Sequence, residues 1–168
     1  LNRISQHPDL DAPLLLDRLF RRHHESTRTM AVLHYLDGMP LEQDINNKNV
    51  LWFGPEDGHL WKSTDFGSTW VDFSNPGFRS PCDLVVVARD PGVMYCGDGV
   101  TGSGSGQMFT SKDGGLNWSL IYTTSGSEVP TIGASWIDNA IAYSTHWSAG
   151  GVRRTTDEGG VWTQVATT

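Results

Sequence analysis

The chain has 168 residues, of which 19 are glycine and seven tryptophan, and its 12 Lys and Arg against 19 Asp and Glu give a net charge of −7. That length suits one domain of ~100–200 residues; the shortage of basic residues excludes a phosphate-binding surface, so neither nucleic acid nor an anionic membrane is an expected partner. No apolar run approaches the ~20 residues needed to cross a bilayer, and low charge with abundant glycine points to a turn-rich all-β fold.

The first segment, 1–37, departs from everything that follows. Asp11-Ala12-Pro13 ahead of Leu14, Leu15, Leu16, Leu19 and Phe20 has the form of an N-cap, an early proline and an apolar stripe, which predicts a short helix. Arg21, Arg22, His23 and His24 would close it with cationic groups at the negative end of its dipole. The chain begins at Leu1 without a charged-then-apolar leader, so a removed leader or a fragment of a longer protein is expected.

Residues 38–168 are periodic. The frame hydroxyl, any, Asp, any, Gly, any, any, Trp occurs at Ser63 to Trp70, at Ser111 to Trp118 and at Thr155 to Trp162. Asp65 and Asp113 are 48 positions apart and Asp113 and Asp157 are 44 apart, close to the ~40–50 residues of a propeller blade. Each box follows a glycine and a short strand candidate, at 58–61, 106–109 and 150–153. Further upstream lie β-rich runs at 50–53, 93–96 and 140–143, each after a turn, and before the turn another strand of which Leu84-Val85-Val86-Val87-Ala88 is the clearest. Each unit therefore reads as four antiparallel strands, with the fourth starting at the box tryptophan. The predicted fold is an incomplete β-propeller of three blades with a short N-terminal helical segment.

The box is a hairpin turn on this reading. Gly67, Gly115 and Gly159 supply positive φ, Asp65, Asp113 and Asp157 accept the amides left free in the turn, and the tryptophans bury their rings between strands or blades. Three periodic copies cannot share one active site. Strand parity puts the boxes on one face of the disk and the loops between second and third strands, with the inter-blade connections, on the other. Function is expected on that loop face.

The loop face offers Glu56, Asp57, His59, Arg79, Asp98, Glu128, His146 and Trp147. Asp98 falls in a glycine-rich loop, 97–106, that lacks the strand-to-helix context and the lysine of a phosphate loop. His146-Trp147 pairs an imidazole with an aromatic ring, the combination that bonds hydroxyls and stacks on a sugar; a tryptophan capping the blade is the alternative. Glycoside hydrolysis needs two carboxyl groups ~5–10 Å apart, and no spacing marks a pair here, so the catalytic residues stay unassigned. Asp98, His146, Trp147 and His59 are the candidate substrate-binding residues. No histidine or cysteine spacing forms a metal site, no cofactor is expected, and Cys82 with Cys96 makes either two buried thiols or one bridge.

The hydroxyl-x-Asp-x-Gly-x-x-Trp frame is the Asp-box. The run from Gly38 to Gly54, together with Gly58-His59-Leu60-Trp61-Lys62-Ser63-Thr64-Asp65-Phe66-Gly67, resembles the xyloglucanases of glycoside hydrolase family seventy-four. Cys96-Gly97-Asp98-Gly99 and Ser144-Thr145-His146-Trp147 resemble later blades of the same family. The resemblance implies a secreted hydrolase of β-1,4-glucan or xyloglucan, with two large propellers and a catalytic aspartate from each. The family's Arg-Thr-Asp-x-Gly-Gly catalytic stretch has no counterpart; Arg154 to Gly160 is a box instead. Three blades are too few to close a ring, so the implied partners are a polysaccharide or oligosaccharide, and either the missing blades or a second copy. A non-catalytic propeller that binds carbohydrate or protein is the second reading. A sialidase is the third, on Gly77-Phe78-Arg79-Ser80-Pro81, which resembles the sialidase Phe-Arg-Ile-Pro but follows the first box.

Overall fold

A computed structural model describes residues 41–55, 58–73, 77–79, 81–99, 105–124, 129, 131–146 and 151–167. The predicted N-terminal helix, Glu56, Asp57, Glu128 and Trp147 lie outside the described residues, as does the side chain of Cys82. Within them the chain is all-β, with no helix.

The strands form three separate four-stranded antiparallel meanders. The first is β1 Leu41–Gln43, β2 Leu51–Phe53, β3 Trp61–Ser63 and β4 Val71–Asp72; the second β5 Pro81–Val86, β6 Met94–Asp98, β7 Gln107–Ser111 and β8 Ser119–Thr123. The third is β9 Thr131–Ala134, β10 Ala142–Thr145, β11 Val152–Thr155 and β12 Thr163–Ala166. These are the blades that the repeat predicts. Their registers match: Leu51 pairs with Ser63, Met94 with Ser111 and Ala142 with Thr155, so the box hydroxyl faces the same position of the second strand each time.

Two boundaries differ from the sequence reading. The fourth strands begin after the tryptophan and not at it, because the indoles of Trp70 and Trp118 donate back to the carbonyls of Gly67 and Gly115 and keep those residues inside the turn. The second correction concerns Asp98, which belongs to β6 and not to the glycine-rich loop. Gly97 carries the strand onward by lying flat against the next blade, where a Cβ would sit 2.4 Å from the Val129 carbonyl oxygen. Asp98 then pairs with Pro81 on one side and Gln107 on the other.

The period-2 alternation of the strands divides the apolar residues between two cores. Met94, Cys96 and Phe109 of the second blade face Trp52, Leu60, Phe78 and Leu84. Tyr95 and Met108, pointing the other way, meet Val129, Ile132, Ala142 and Trp162. β6 is buried along its whole length, as a strand clamped between two neighbours must be.

The innermost strands β1, β5 and β9 lie side by side. They are joined by carboxylates, not by a ladder: Asp83 accepts the Ile132 amide at 2.6 Å, and Glu42 bonds the Val86 backbone. At the other end of the strands each box turn is tied to the first turn of its own blade, by Phe66 N to Asn49 O, Gly114 N to Gly92 O and Glu158 N to Ala140 O. Both kinds of turn thus share one face, and the loops after β2, β6 and β10 share the opposite one.

Candidate functional site

The box geometry is repeated three times. Ser63, Ser111 and Thr155 each donate to the box aspartate, at 2.8, 2.9 and 2.7 Å, and accept the amide of the box glycine, at 2.7, 2.9 and 3.0 Å. The same carboxylates take the amides of Thr69, Asn117 and Val161 at 2.8 to 2.9 Å. Hydrogen bonds to the charged form favour it: the Thr69 hydroxyl and amide hold Asp65 down to about 2, and the Asn117 and Val161 amides lower Asp113 and Asp157. Their oxygens are engaged in closing the turn.

On the loop face, Asp98 is fully buried. The Arg79 amide donates to one of its oxygens at 3.2 Å and Arg79 Nε to the other at 3.3 Å. The remaining guanidinium nitrogens reach Ser105, its carbonyl at 3.0 Å and its hydroxyl at 3.3 Å. Arg79 and Asp98 together pin the connection after the first blade to both ends of the loop between β6 and β7. This is also what the arginine of the sialidase reading does here.

His146 is buried at the junction of the second and third blades. Its Nε2 lies 2.8 Å from the Tyr122 hydroxyl and 3.3 Å from the Ser144 hydroxyl, which are themselves 2.9 Å apart. The imidazole stacks on Tyr122, centroids 5.5 Å apart, and Arg153 covers the same phenol ring at 5.0 Å. Burial, and then the Arg153 charge, lower the His146 pKa, so the ring is neutral at pH 7. Its Nδ1 is buried with no partner among the described residues.

His59 is placed differently. It is half-buried, bonded to Asp72 at 3.0 Å and stacked beside Trp61 at 6.0 Å. Among the described residues no hydrogen bond or ring contact joins Asp98, His146 and His59 to one another.

Sequence reasoning missed a second location. Along β1, β5 and β9 runs a groove of about 350 Å³, whose walls include Glu42, Gln43, Val85, Ile132, Gly133 and Trp136. Burial pushes Glu42 up to about 7, with the Asp83 charge adding and the Val86 amide opposing; burial also raises Asp83, against the Ile132 and Leu84 amides. A carboxylate inside an otherwise apolar strand, as in Pro-Cys-Asp-Leu-Val-Val, was the available signal. Tyr122 and Ser144 gave none, since their meeting with His146 depends on how the blades pack.

No family model matches the chain. Over 132 residues, 76% of its length, it is 30% identical to a xyloglucanase of Paenibacillus sp., and it spans 10% of that enzyme. The glycoside hydrolase family 74 enzyme of Niastella koreensis superposes on 84% of the chain with a TM-score of 0.60 at 21% identity, and the chain covers 24% of it. The chain is a partial β-propeller resembling the family 74 hydrolases. YCF48 bound to D1 peptide matches 74% of the chain with a TM-score of 0.58 at 19% identity, and the chain covers 39% of it. Against a family 74 enzyme the described blades thus represent one arc of a much larger body.

Proposed function

We propose that the chain is part of a glycoside hydrolase acting on β-1,4-glucan or xyloglucan, secreted to meet that substrate. The carrying observation is the 30% identity to a xyloglucanase over 132 residues, which spans more than any single box. The loop face supplies the binding part of the work. Trp147 is the stacking platform and His59 bonds sugar hydroxyls, while Asp98 through Arg79 and the buried His146 through Tyr122 act indirectly, by fixing the loops and the blade junction. No residue of this arc is assigned the catalytic acid or base.

A second reading is a propeller that binds carbohydrate or protein without cleaving it. It is favoured by the burial of Asp98 and its engagement with Arg79, which commit that carboxylate to holding the loops, and by the likeness to YCF48, a protein described in complex with a peptide.

One pair of measurements separates the readings. The protein that carries this chain is incubated with xyloglucan, and reducing ends and retention in a xyloglucan gel are both followed. Release of reducing ends, with a raised KM in Trp147→Ala, supports the hydrolase; retention without release, lost in Trp147→Ala, supports the binder. Neither release nor retention sinks the carbohydrate reading.

A further inference from the structure

The groove along β1, β5 and β9 is built from equivalent positions of the three blades. Glu42, Val85 and Gly133 are the inner-strand partners of Trp52, Tyr95 and Tyr143. Three residues further on stand Ile45, Ala88 and Trp136, and all six line the groove. It therefore follows the inner edge of the whole arc and is not the uncovered side of either terminal blade.

Two of the six are not explained by the architecture of a blade. Contact between blades falls to the ring partners, since Trp52 and Tyr95 pack on Gly115 and Gly159 of the following blade. The inner position needs no carboxyl, being valine in the second blade and glycine in the third, yet the first blade places Glu42 there. The turn position accepts alanine in the second blade, yet the third carries Trp136, which is 70% exposed and so is not held there by burial. A carboxyl and an indole thus share a groove of about 350 Å³, within the ~300–1,000 Å³ of small-ligand sites.

The charges around the groove favour a cation. Glu42 is half-buried, and its carboxylate accepts the Val86 amide. No lysine, arginine or histidine forms an ion pair with it among the described residues. β2 and β9 carry no charged residue and β5 carries only Asp83, whose charge opposes ionisation of Glu42; Asp44, just beyond β1, interacts with Lys62 instead. Burial pushes Glu42 up to about 7. A half-buried carboxyl without a counter-charge stays costly to ionise until a cation reaches it. The walls beside it, Val85, Val86, Ala88 and Ala134, are aliphatic.

We propose that this groove binds a primary ammonium group carried on an aliphatic stem, with the ammonium at Glu42 and the stem along the aliphatic wall and Trp136. A free alkylamine and a lysine side chain share that chemistry. The site opens toward the turn face, away from the loops that meet glycan in the hydrolase reading, and it stands or falls separately from that reading.

The test titrates the full chain with n-butylamine and, in parallel, with the uncharged 1-butanol. The amide NMR signals of Val86 and Gly133 are followed in about 0.15 M salt, which screens diffuse attraction to the net negative chain. Butylamine is expected to shift both signals to saturation and 1-butanol to leave them nearly unmoved. Affinity for butylamine is expected to be about tenfold higher at about pH 8 than at about pH 6, because the amine keeps its proton across that range whereas Glu42 loses one. Glu42→Gln, which keeps an acceptor for the Val86 amide, is expected to weaken binding about tenfold at the higher pH, and Trp136→Ala about threefold. Nα-acetyl-lysine methylamide identifies the source: binding tighter than that of butylamine supports a lysine side chain, weaker binding a free amine. Equal responses to butylamine and 1-butanol overturn the proposal, as do pH-independent binding, unchanged affinity in Glu42→Gln, or no response to either amine. The butanol comparison needs no variant and decides the matter even where a substitution disturbs the fold. Xyloglucan oligosaccharide that moves the same signals, and loses that effect in Trp136→Ala, assigns the groove to a sugar and also overturns the proposal.

Discussion

Tyr95 and Tyr122 occupy the same inter-blade core with opposite hydrogen-bond fates. The Tyr95 hydroxyl is buried without a partner among the described residues, beside a Trp162 indole nitrogen in the same condition, and burial raises its pKa. An unsatisfied buried hydroxyl costs about 1–3 kcal/mol. Tyr95→Phe, which keeps the ring on Gly159, is therefore expected to stabilise the chain by about 1 kcal/mol, seen as a higher urea midpoint at unchanged m. Tyr122→Phe strips a partner from both Ser144 and His146 and is expected to destabilise by about 1–3 kcal/mol in the same assay.

Two residues give opposing pH dependences. The folded pKa of His146 lies below its ordinary 6.5, so below that pH the unfolded chain binds the extra proton and stability falls on acidification. The folded pKa of Glu42 is raised from 4.5 to about 7, so between those values the folded chain binds the extra proton and stability rises on acidification. Denaturation midpoints measured from pH 7.5 to 5 should fall more steeply in Glu42→Gln than in the parent chain. In His146→Asn they should rise as the pH is lowered. The box aspartates add a third, lower window: their lowered pKa values give stability that is present above about 3.8 and lost as the pH falls further. Asp98 supplies a test of its structural part: truncation to Ala removes the partner of a guanidinium whose other donors stay engaged, and a loss of about 3 kcal/mol is expected by chemical denaturation.

At the scale of the element, the box was legible where it is local and illegible where it is not. Asp, Gly and Trp at fixed spacing announce a hairpin turn, and the positive φ of the three glycines follows. The hydroxyl was read only as part of the frame, although Ser63, Ser111 and Thr155 anchor the turn by accepting the glycine amide. Nor could the sequence show that Gly115 and Gly159 do two jobs, since the rings they receive come from another blade. Neighbouring glycines separate these jobs. Gly114→Ala meets only the left-handed backbone cost of about 1–2 kcal/mol, because nothing lies within 4 Å of its Cβ position. Gly115→Ala adds a clash with the Trp52 indole and is expected to cost about 2–4 kcal/mol, with altered Trp fluorescence in the variant.

At the scale of the molecule, the separation of faces came from strand parity alone, which needs only the number of strands per unit. The contents of the loop face did not. Asp98 looked like a loop carboxylate because glycines surround it, yet Gly97 is there so that β6 can lie against Val129, and the strand delivers Asp98 into contact with Arg79. The inner-strand carboxylates were passed over for a related reason. A strand register tells which way Glu42 and Asp83 point, but only the arrangement of blades shows that they span the gaps between β1, β5 and β9.

Trp52 of the first blade is seated on Gly115 of the second, and Tyr95 of the second on Gly159 of the third, which gives the three blades a direction. The ring always comes from the earlier blade and the bare backbone from the later one. A chain emerging from the ribosome therefore completes each aromatic surface before the turn that covers it has been synthesised. Each of these junctions is closed from its later side. A product stalled between two blades would leave Trp52 or Tyr95 uncovered at its growing end.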